Sequence, residues 1–153
     1  MKSIIILIGI LLASLSMPTL ANALNSKDIA GVWNQIDDKT GTPKAIIEIR
    51  KEGDSYTGTI KKVNARPGYK PKEICVNCPA PYTNKPILGL DVLTGIKKIK
   101  QNTFAHGKII DPLSGNIYSA QIKLSSNGKR LSLKAFVKGL STLGRSQVWL
   151  RAE

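Results

Sequence analysis

The chain has 153 residues, of which 42% are hydrophobic and 5% aromatic, with 23 Lys and Arg against 10 Asp and Glu. This length allows one domain with its own core and excludes two domains of ordinary size. The net charge of +13 favours encounters with anionic partners but does not specify a fold.

The first 23 residues have the pattern of a secretory signal peptide. One basic residue, Lys2, precedes an apolar run at residues 4–12, and Ala-Asn-Ala at 21–23 has the spacing of a cleavage site. The run is too short to span a bilayer comfortably, which makes a retained anchor the less favoured alternative. We expect Sec-type export to the periplasm or the medium with cleavage after Ala23, leaving one domain at residues 24–153.

The next part of the chain predicts a meander of short strands. Residues 31–37, 44–50 and 56–63 are rich in β-branched or alternating apolar positions, and tight turns containing glycine separate them. Residues 64–86 break this rhythm with five prolines, Cys75 and Cys78. Irregular connections of this length are uncommon and often form lids or binding loops.

Strands resume after this loop. Residues 87–93 predict a strand and residues 95–100 a turn or short helix. Residues 103–124 predict a hairpin around the turn from Asp111 to Gly115, since Asp, Pro and Gly each suit a specific turn position. Two further strands are expected at 131–138 and 145–151. About eight hairpin-linked strands without a covering helix favour an all-β, antiparallel up-and-down barrel over a sandwich.

Six motifs in order resemble a family of small exported bacterial proteins that is catalogued only as a domain of unknown function, with a lipocalin-like (calycin-type) barrel. They are Gly31-x-Trp33, Asp38-x-Thr40-Gly41, Cys75-x-x-Cys78, Lys85-Pro86-x-Leu88-Gly89-Leu90, Gly107-Lys108-Ile109-x-Asp111-Pro112-x-x-Gly115-x-x-Tyr118 and Leu143-Gly144-Arg145-x-Gln147-x-Trp149-x-Arg151. The resemblance covers essentially the whole predicted mature chain and implies the fold and export, but no activity.

In lipocalin-type barrels an arginine near the chain end packs over the first-strand tryptophan, so the resemblance implies a structural role for Trp33. Arg145 and Arg151 both lie in the closing motif, and the sequence alone does not decide which of them stacks on Trp33. We assign Arg151 to the barrel end with Trp33 and keep Arg145 as a candidate ligand anchor. Such a stacked pair stabilises by about 0.5 to 2 kcal/mol.

Cys75 and Cys78 form the motif of this sequence that most resembles a reactive site. In an exported protein, Cys75 and Cys78 most often form a local disulfide, although a redox pair or a metal site stays open. A zinc site needs about four ligands, and the chain offers these two thiols and the single histidine, His106. We expect no metal and no cofactor.

Catalysis is not expected. The Gly139 to Gly144 segment is one residue out of register with a nucleophile elbow, and the adjacent Asp37 and Asp38 belong to a turn. No catalytic residue is therefore assigned, and the chain is predicted not to be an enzyme.

Two function classes remain. The first is a binding protein that holds a small hydrophobic or amphipathic molecule in the barrel, with Tyr118, Arg145, Gln147 and Trp149 as candidate anchors. The alternative is an envelope protein whose basic surface binds anionic lipid, lipopolysaccharide or an acidic partner. Nucleic acid is not an expected partner, because the densest basic runs, at residues 61–62 and 97–100, contain no aromatic residue.

Overall fold

The computed structural model describes residues 27–152, so the predicted signal peptide and its cleavage site after Ala23 lie outside the described residues. Within this range the chain forms eight strands: β1 (Gly31–Ile36), β2 (Pro43–Glu52), β3 (Ser55–Val63), β4 (Asp91–Lys100), β5 (Thr103–Ile110), β6 (Ile117–Leu124), β7 (Arg130–Phe136) and β8 (Gly144–Arg151). Among the same residues there is no helix of the length and hydrophobicity needed to cross a membrane.

The strands close into a barrel in chain order. Each strand pairs antiparallel with the next, and β8 returns to β1 with Trp33 opposite Arg151 and Gln35 opposite Trp149. Closure leaves no unpaired sheet edge, which is how hairpin-linked strands avoid edge-to-edge association. The predicted eight-stranded antiparallel barrel is confirmed.

One strand was placed wrongly from the sequence. The strand expected at residues 87–93 instead begins at Asp91, and the turn or short helix expected at 95–100 belongs to the same strand, β4. Gly95, which the sequence suggests as a turn residue, has φ of 66° inside β4 and does not end the strand. The long loop therefore runs to residue 90 rather than 86.

The barrel has two unlike ends. At the closed end lie residues 27–30 and the turns after β2, β4 and β6, at 53–54, 101–102 and 125–129. At the open end lie the segments after β1, β3, β5 and β7, at 37–42, 64–90, 111–116 and 137–143. The long loop predicted from the sequence thus belongs to the open end.

Side chains fill the barrel from the closed end to about its middle. Tyr56 and Phe104 pack edge to face, with ring centroids 5.4 Å apart. Gly107 leaves room for Ile96, because a Cβ at position 107 would lie 2.5 Å from the Ile96 side chain. The fully buried side chains include Trp33, Trp149, Ile47, Ile49, Leu93, Ile122, Leu131 and Leu133. The interior that remains open lies toward the open end.

Candidate functional site

An arginine seals the closed end. The Arg151 guanidinium lies 4.3 Å from the centroid of the Trp33 ring. Its N–H groups donate to the carbonyl oxygens of Asp28 (2.7 Å), Ala30 (3.0 Å) and Gly128 (2.8 Å). Burial lowers the pKa of Arg151, and the Asp28 carboxylate opposes that shift. Because each of its three guanidinium nitrogens donates to a main-chain oxygen, Arg151 serves the barrel end.

Trp33 and Tyr56 complete this seal. The Trp33 indole Nε1 donates to the Ile29 carbonyl oxygen at 2.8 Å, which ties the N-terminal segment across the barrel end. The Tyr56 hydroxyl donates to Asp28 Oδ2 at 3.2 Å. Burial, followed by the negative charge of Asp28, raises the pKa of Tyr56 to about 12. These contacts stabilise the closed end of the barrel.

A cavity of about 460 Å³ occupies the barrel interior toward the open end. This volume lies within the range of about 300 to 1,000 Å³ that is usual for small-molecule sites. Its apolar lining comprises Ala45, Ile47, Ile60, Val63, Ile87, Val92, Ile109, Ile110, Pro112, Leu113, Ala135, Phe136, Val137, Leu143 and Trp149. Its polar lining comprises Gln35, Lys44, Arg66, Tyr69, Lys72, Asp111, Tyr118, Arg145 and Gln147.

All four predicted anchor residues line this cavity. Three of them, Arg145, Gln147 and Trp149, alternate along β8 and point inward with Arg151, whereas Leu150 points outward and is 42% exposed. A strand of a barrel with a dry interior shows the opposite pattern, with apolar residues inside. In β8 the row that faces the interior is the more polar one.

The floor of the cavity carries an amide network. Gln147 Oε1 accepts from Gln35 Nε2 at 2.6 Å and from the Trp149 indole Nε1 at 3.4 Å. The two amide side chains hold each other across the β1–β8 seam, and Trp149, which is fully buried, forms the apolar base beside them. These hydrogen bonds hold the Gln35 and Gln147 amides in fixed positions, where a ligand can contact them.

Tyr118 and Arg145 lie nearer the mouth. Arg145 pairs with Ala135 on β7, and Ala135 pairs with Ala120 on β6, two positions from Tyr118. Within residues 27–152, neither the Tyr118 hydroxyl nor the Arg145 guanidinium has a hydrogen-bond or ion-pair partner. These two side chains therefore have their full donor capacity available to a molecule in the cavity.

The long loop contributes a third group of lining residues. Arg66 forms an ion pair with Asp37 and stacks on Tyr69, with the guanidinium carbon 4.5 Å from the ring centroid. Burial alone would raise the pKa of Asp37, but hydrogen bonds from the backbone of Thr40 and Lys39, and the Arg66 charge, outweigh it and lower that pKa. The ion pair joins the loop to the β1–β2 turn at the rim of the cavity.

The cysteines anchor the same loop. Cys75 and Cys78 form a disulfide, and both are buried. The Cys75 sulfur lies 3.7 Å from the Pro112 carbonyl oxygen, and a Cβ at Gly115 would collide with the carbonyl oxygen of Asn77. The disulfide turn thus packs against the β5–β6 turn and holds the loop at the open end, as a structural disulfide does.

Sequence reasoning missed part of the site. Gln35 lies two positions after Trp33 on β1, so strand alternation was a sufficient signal to place it inside the barrel. An irregular loop supplies Arg66, Tyr69 and Lys72, and no periodicity in such a loop indicates the direction of a side chain.

Within the described residues, no group of three or more His, Cys, Asp or Glu side chains is placed to hold a metal ion. His106 is exposed at a left-handed position in β5.

Comparison with solved structures finds HP1028 from the human pathogen Helicobacter pylori, described as belonging to the lipocalin family. The two chains are 17% identical, the match covers 82% of this chain and 84% of that one, and the TM-score is 0.69. At this identity the likeness shows the fold. A comparison with curated proteins finds no match. Residues 31–151 match the family described as "Uncharacterized protein conserved in bacteria (DUF2147)", and the chain therefore belongs to this bacterial family with a lipocalin-like barrel.

Proposed function

We propose that this protein is an exported, non-catalytic binding protein that holds a small amphipathic molecule in the open half of its barrel. The observation that carries the proposal is the composition of β8, which directs Arg145, Gln147 and Trp149 into a cavity of about 460 Å³ while Leu150 faces solvent. A barrel selected only for stability would fill this space with apolar side chains. Export is supported by the signal-like residues 1–23.

The cavity suits a molecule with an apolar body and a polar end. The body would contact Trp149 and the aliphatic side chains around it, and the polar end would reach Tyr118 and Arg145. Trp149 lies four positions after Arg145 on β8, which gives a distance of about 13 Å along the strand at the usual strand rise. We infer that a compact or medium-length apolar group fits, and that a longer one would project from the mouth.

The energetics are sufficient for specific binding. Removing about 200 Å² of apolar ligand surface from water contributes about 5 kcal/mol. A charge-assisted hydrogen bond from Arg145 to an acidic end adds about 1.5 to 3 kcal/mol. Lost translational freedom offsets part of this sum of about 6.5 to 8 kcal/mol, so dissociation constants of at least tens of micromolar are expected.

The test compares two phenylalanine substitutions on β7. Ala135 lines the cavity and Ser132 faces outward three positions earlier, so Ala135→Phe places a phenyl ring inside the cavity while Ser132→Phe adds the same ring outside. Binding of fatty acids and fatty alcohols of graded length would be measured by calorimetry. We expect Ala135→Phe to abolish binding and Ser132→Phe to retain it. Equal binding by both variants would contradict a ligand in the barrel.

The polar anchor has its own test. Arg145→Ala should weaken binding of a fatty acid about 10- to 100-fold and leave the matching alcohol within about threefold, since only the acid offers a charge to the guanidinium. Equal losses for acid and alcohol would show that Arg145 contributes packing and not charge recognition.

A further inference from the structure

The positive charge of this chain is unevenly distributed. From residue 112 to 152 there are seven Lys and Arg and no Asp or Glu. The five ion pairs of the described residues all lie between positions 37 and 97, so none involves β6, β7 or β8. Apart from Arg151, whose charge interacts with the Asp28 carboxylate, the cations of these three strands therefore have no acidic partner among residues 27–152.

Exposed apolar side chains gather at the open end of the same strands. In the β7–β8 loop, at residues 137–143, Val137, Leu140 and Leu143 are 55%, 50% and 69% exposed. Val137 and Leu143 also line the mouth of the cavity. Isolated exposed apolar residues are ordinary, but three in one short loop beside a cavity mouth are typical of an interaction site.

The loop has a defined shape. The Leu140 N–H donates to the Val137 carbonyl oxygen at 2.9 Å, and the Leu143 N–H donates to the Leu140 carbonyl oxygen at 3.0 Å. Two successive tight turns thus display the three apolar side chains. Lys134 and Lys138 flank them, and neither cation has an ion-pair partner within residues 27–152.

We propose that the β7–β8 loop docks the mouth of the barrel on an anionic lipid bilayer, with Val137, Leu140 and Leu143 entering the headgroup region and the flanking cations contacting lipid phosphates. Apolar side chains that insert, together with basic residues that contact acidic headgroups, are the combination by which proteins bind membrane interfaces. This docking does not require an occupied cavity. If the proposed function holds, it would place the cavity where amphipathic molecules are stored.

Two other occupants fit the surface less well. A second copy of the chain would bring two unneutralised basic faces together, which like-charge repulsion disfavours. A folded acidic protein would supply charge, but three separated, protruding side chains need a set of matching pockets, whereas a fluid bilayer accommodates them without one. Charge and shape therefore both favour the bilayer.

The experiment uses the protein as it is purified from bacteria and measures how much of it floats with lipid vesicles. One set of vesicles is phosphatidylcholine alone, and the other, anionic set is equimolar phosphatidylcholine and phosphatidylglycerol. The intact mass of the protein defines its first residue. Leu143→Ser is matched by Ile99→Ser, another exposed apolar residue at the closed end of β4. The double variant Lys134→Gln, Lys138→Gln tests the basic residues beside the loop. Its control is the double variant Lys129→Gln, Arg130→Gln, which removes the same charge at the opposite end of the barrel.

We expect binding to the anionic vesicles only. Each lysine near the surface contributes about fivefold in affinity, so the Lys134–Lys138 double variant should bind at least tenfold more weakly. Leu143→Ser should bind severalfold more weakly, and the two controls should stay within about twofold.

Three results would overturn the proposal. Failure of the unmodified protein to float with anionic vesicles at low salt would exclude docking on lipid. Equal losses in both charge variants, with no effect of Leu143→Ser, would show diffuse adsorption instead of docking through the loop. A wild-type dimer in sedimentation that Leu143→Ser dissociates would assign the loop to self-association. A cavity that binds its ligand in calorimetry while the vesicles fail would leave the proposed function standing.

Discussion

The two arginines of β8 provide a matched comparison. Arg151 faces the closed end, where it donates to three main-chain carbonyl oxygens and stacks on Trp33. Arg145 faces the cavity and has no hydrogen-bond partner among residues 27–152. The same substitution, Arg to Ala, therefore removes three hydrogen bonds and a stacking contact at position 151, and no hydrogen bond or ion pair among residues 27–152 at position 145.

The magnitude follows from those contacts. A hydrogen bond from a charged donor contributes about 1.5 to 3 kcal/mol, and cation–π stacking about 1 kcal/mol more. Such terms are not additive, and burial of Arg151 opposes them, as its lowered pKa indicates. We expect Arg151→Ala to lower the free energy of unfolding by about 3 to 4 kcal/mol. Arg145→Ala should change it by less than about 0.5 kcal/mol.

Urea denaturation followed by tryptophan fluorescence measures both values. Should Arg151→Ala fail to fold, Arg151→Lys keeps the charge but loses the planar fork, and about 2 kcal/mol of destabilisation is expected. The reasoning would be refuted if Arg145→Ala destabilised the protein as much as Arg151→Ala. It would also be refuted if Arg151→Lys matched the wild type.

Two further predictions concern stability. Because the pKa of Tyr56 is raised to about 12, the folded state keeps a proton that the unfolded state releases above about pH 10. This contribution to the free energy of unfolding is complete below pH 10 and is lost as pH rises to 12. Over that range, urea titrations should show that the wild type loses about 2 kcal/mol more than Tyr56→Phe. Equal losses in the two proteins would contradict the assignment. Gly107→Ala should cost about 1 to 3 kcal/mol by overpacking against Ile96 and the Thr94 carbonyl oxygen. Adding Ile96→Val should recover part of that cost in thermal unfolding, and no recovery would argue against the Ile96 contact.

Much of the fold could be predicted because local signals agreed. The turn from Asp111 to Gly115 forms as its residues require, with the Gly115 N–H donating to the Asp111 carbonyl oxygen at 2.7 Å and Gly115 at φ of 81°. Strand β4 was misplaced because a glycine inside a strand and a glycine that ends one look alike in sequence. Only pairing with both neighbouring strands, which is long-range, distinguishes the two.

The candidate site was less predictable. The sequence does not decide which face of β8 points into the barrel. Its inward residues, Arg145, Gln147 and Trp149, are more polar than its outward ones, Ser146, Val148 and Leu150, which is the reverse of a dry barrel. Barrel closure against β1 fixes that facing by placing Gln35 opposite Trp149. Arg66 and Lys72 reach the cavity through tertiary contacts of an irregular loop, and such contacts leave no periodic trace in the sequence.

The central claim is that the barrel carries a small amphipathic molecule. The most direct test measures the intact mass of the protein, purified as it accumulates in bacteria, first under non-denaturing conditions and then after denaturation. We predict an additional mass that is lost on denaturation, absent from Ala135→Phe and retained by Ser132→Phe. Identical masses under both conditions, with no calorimetric binding of the graded fatty acids and alcohols, would contradict the account.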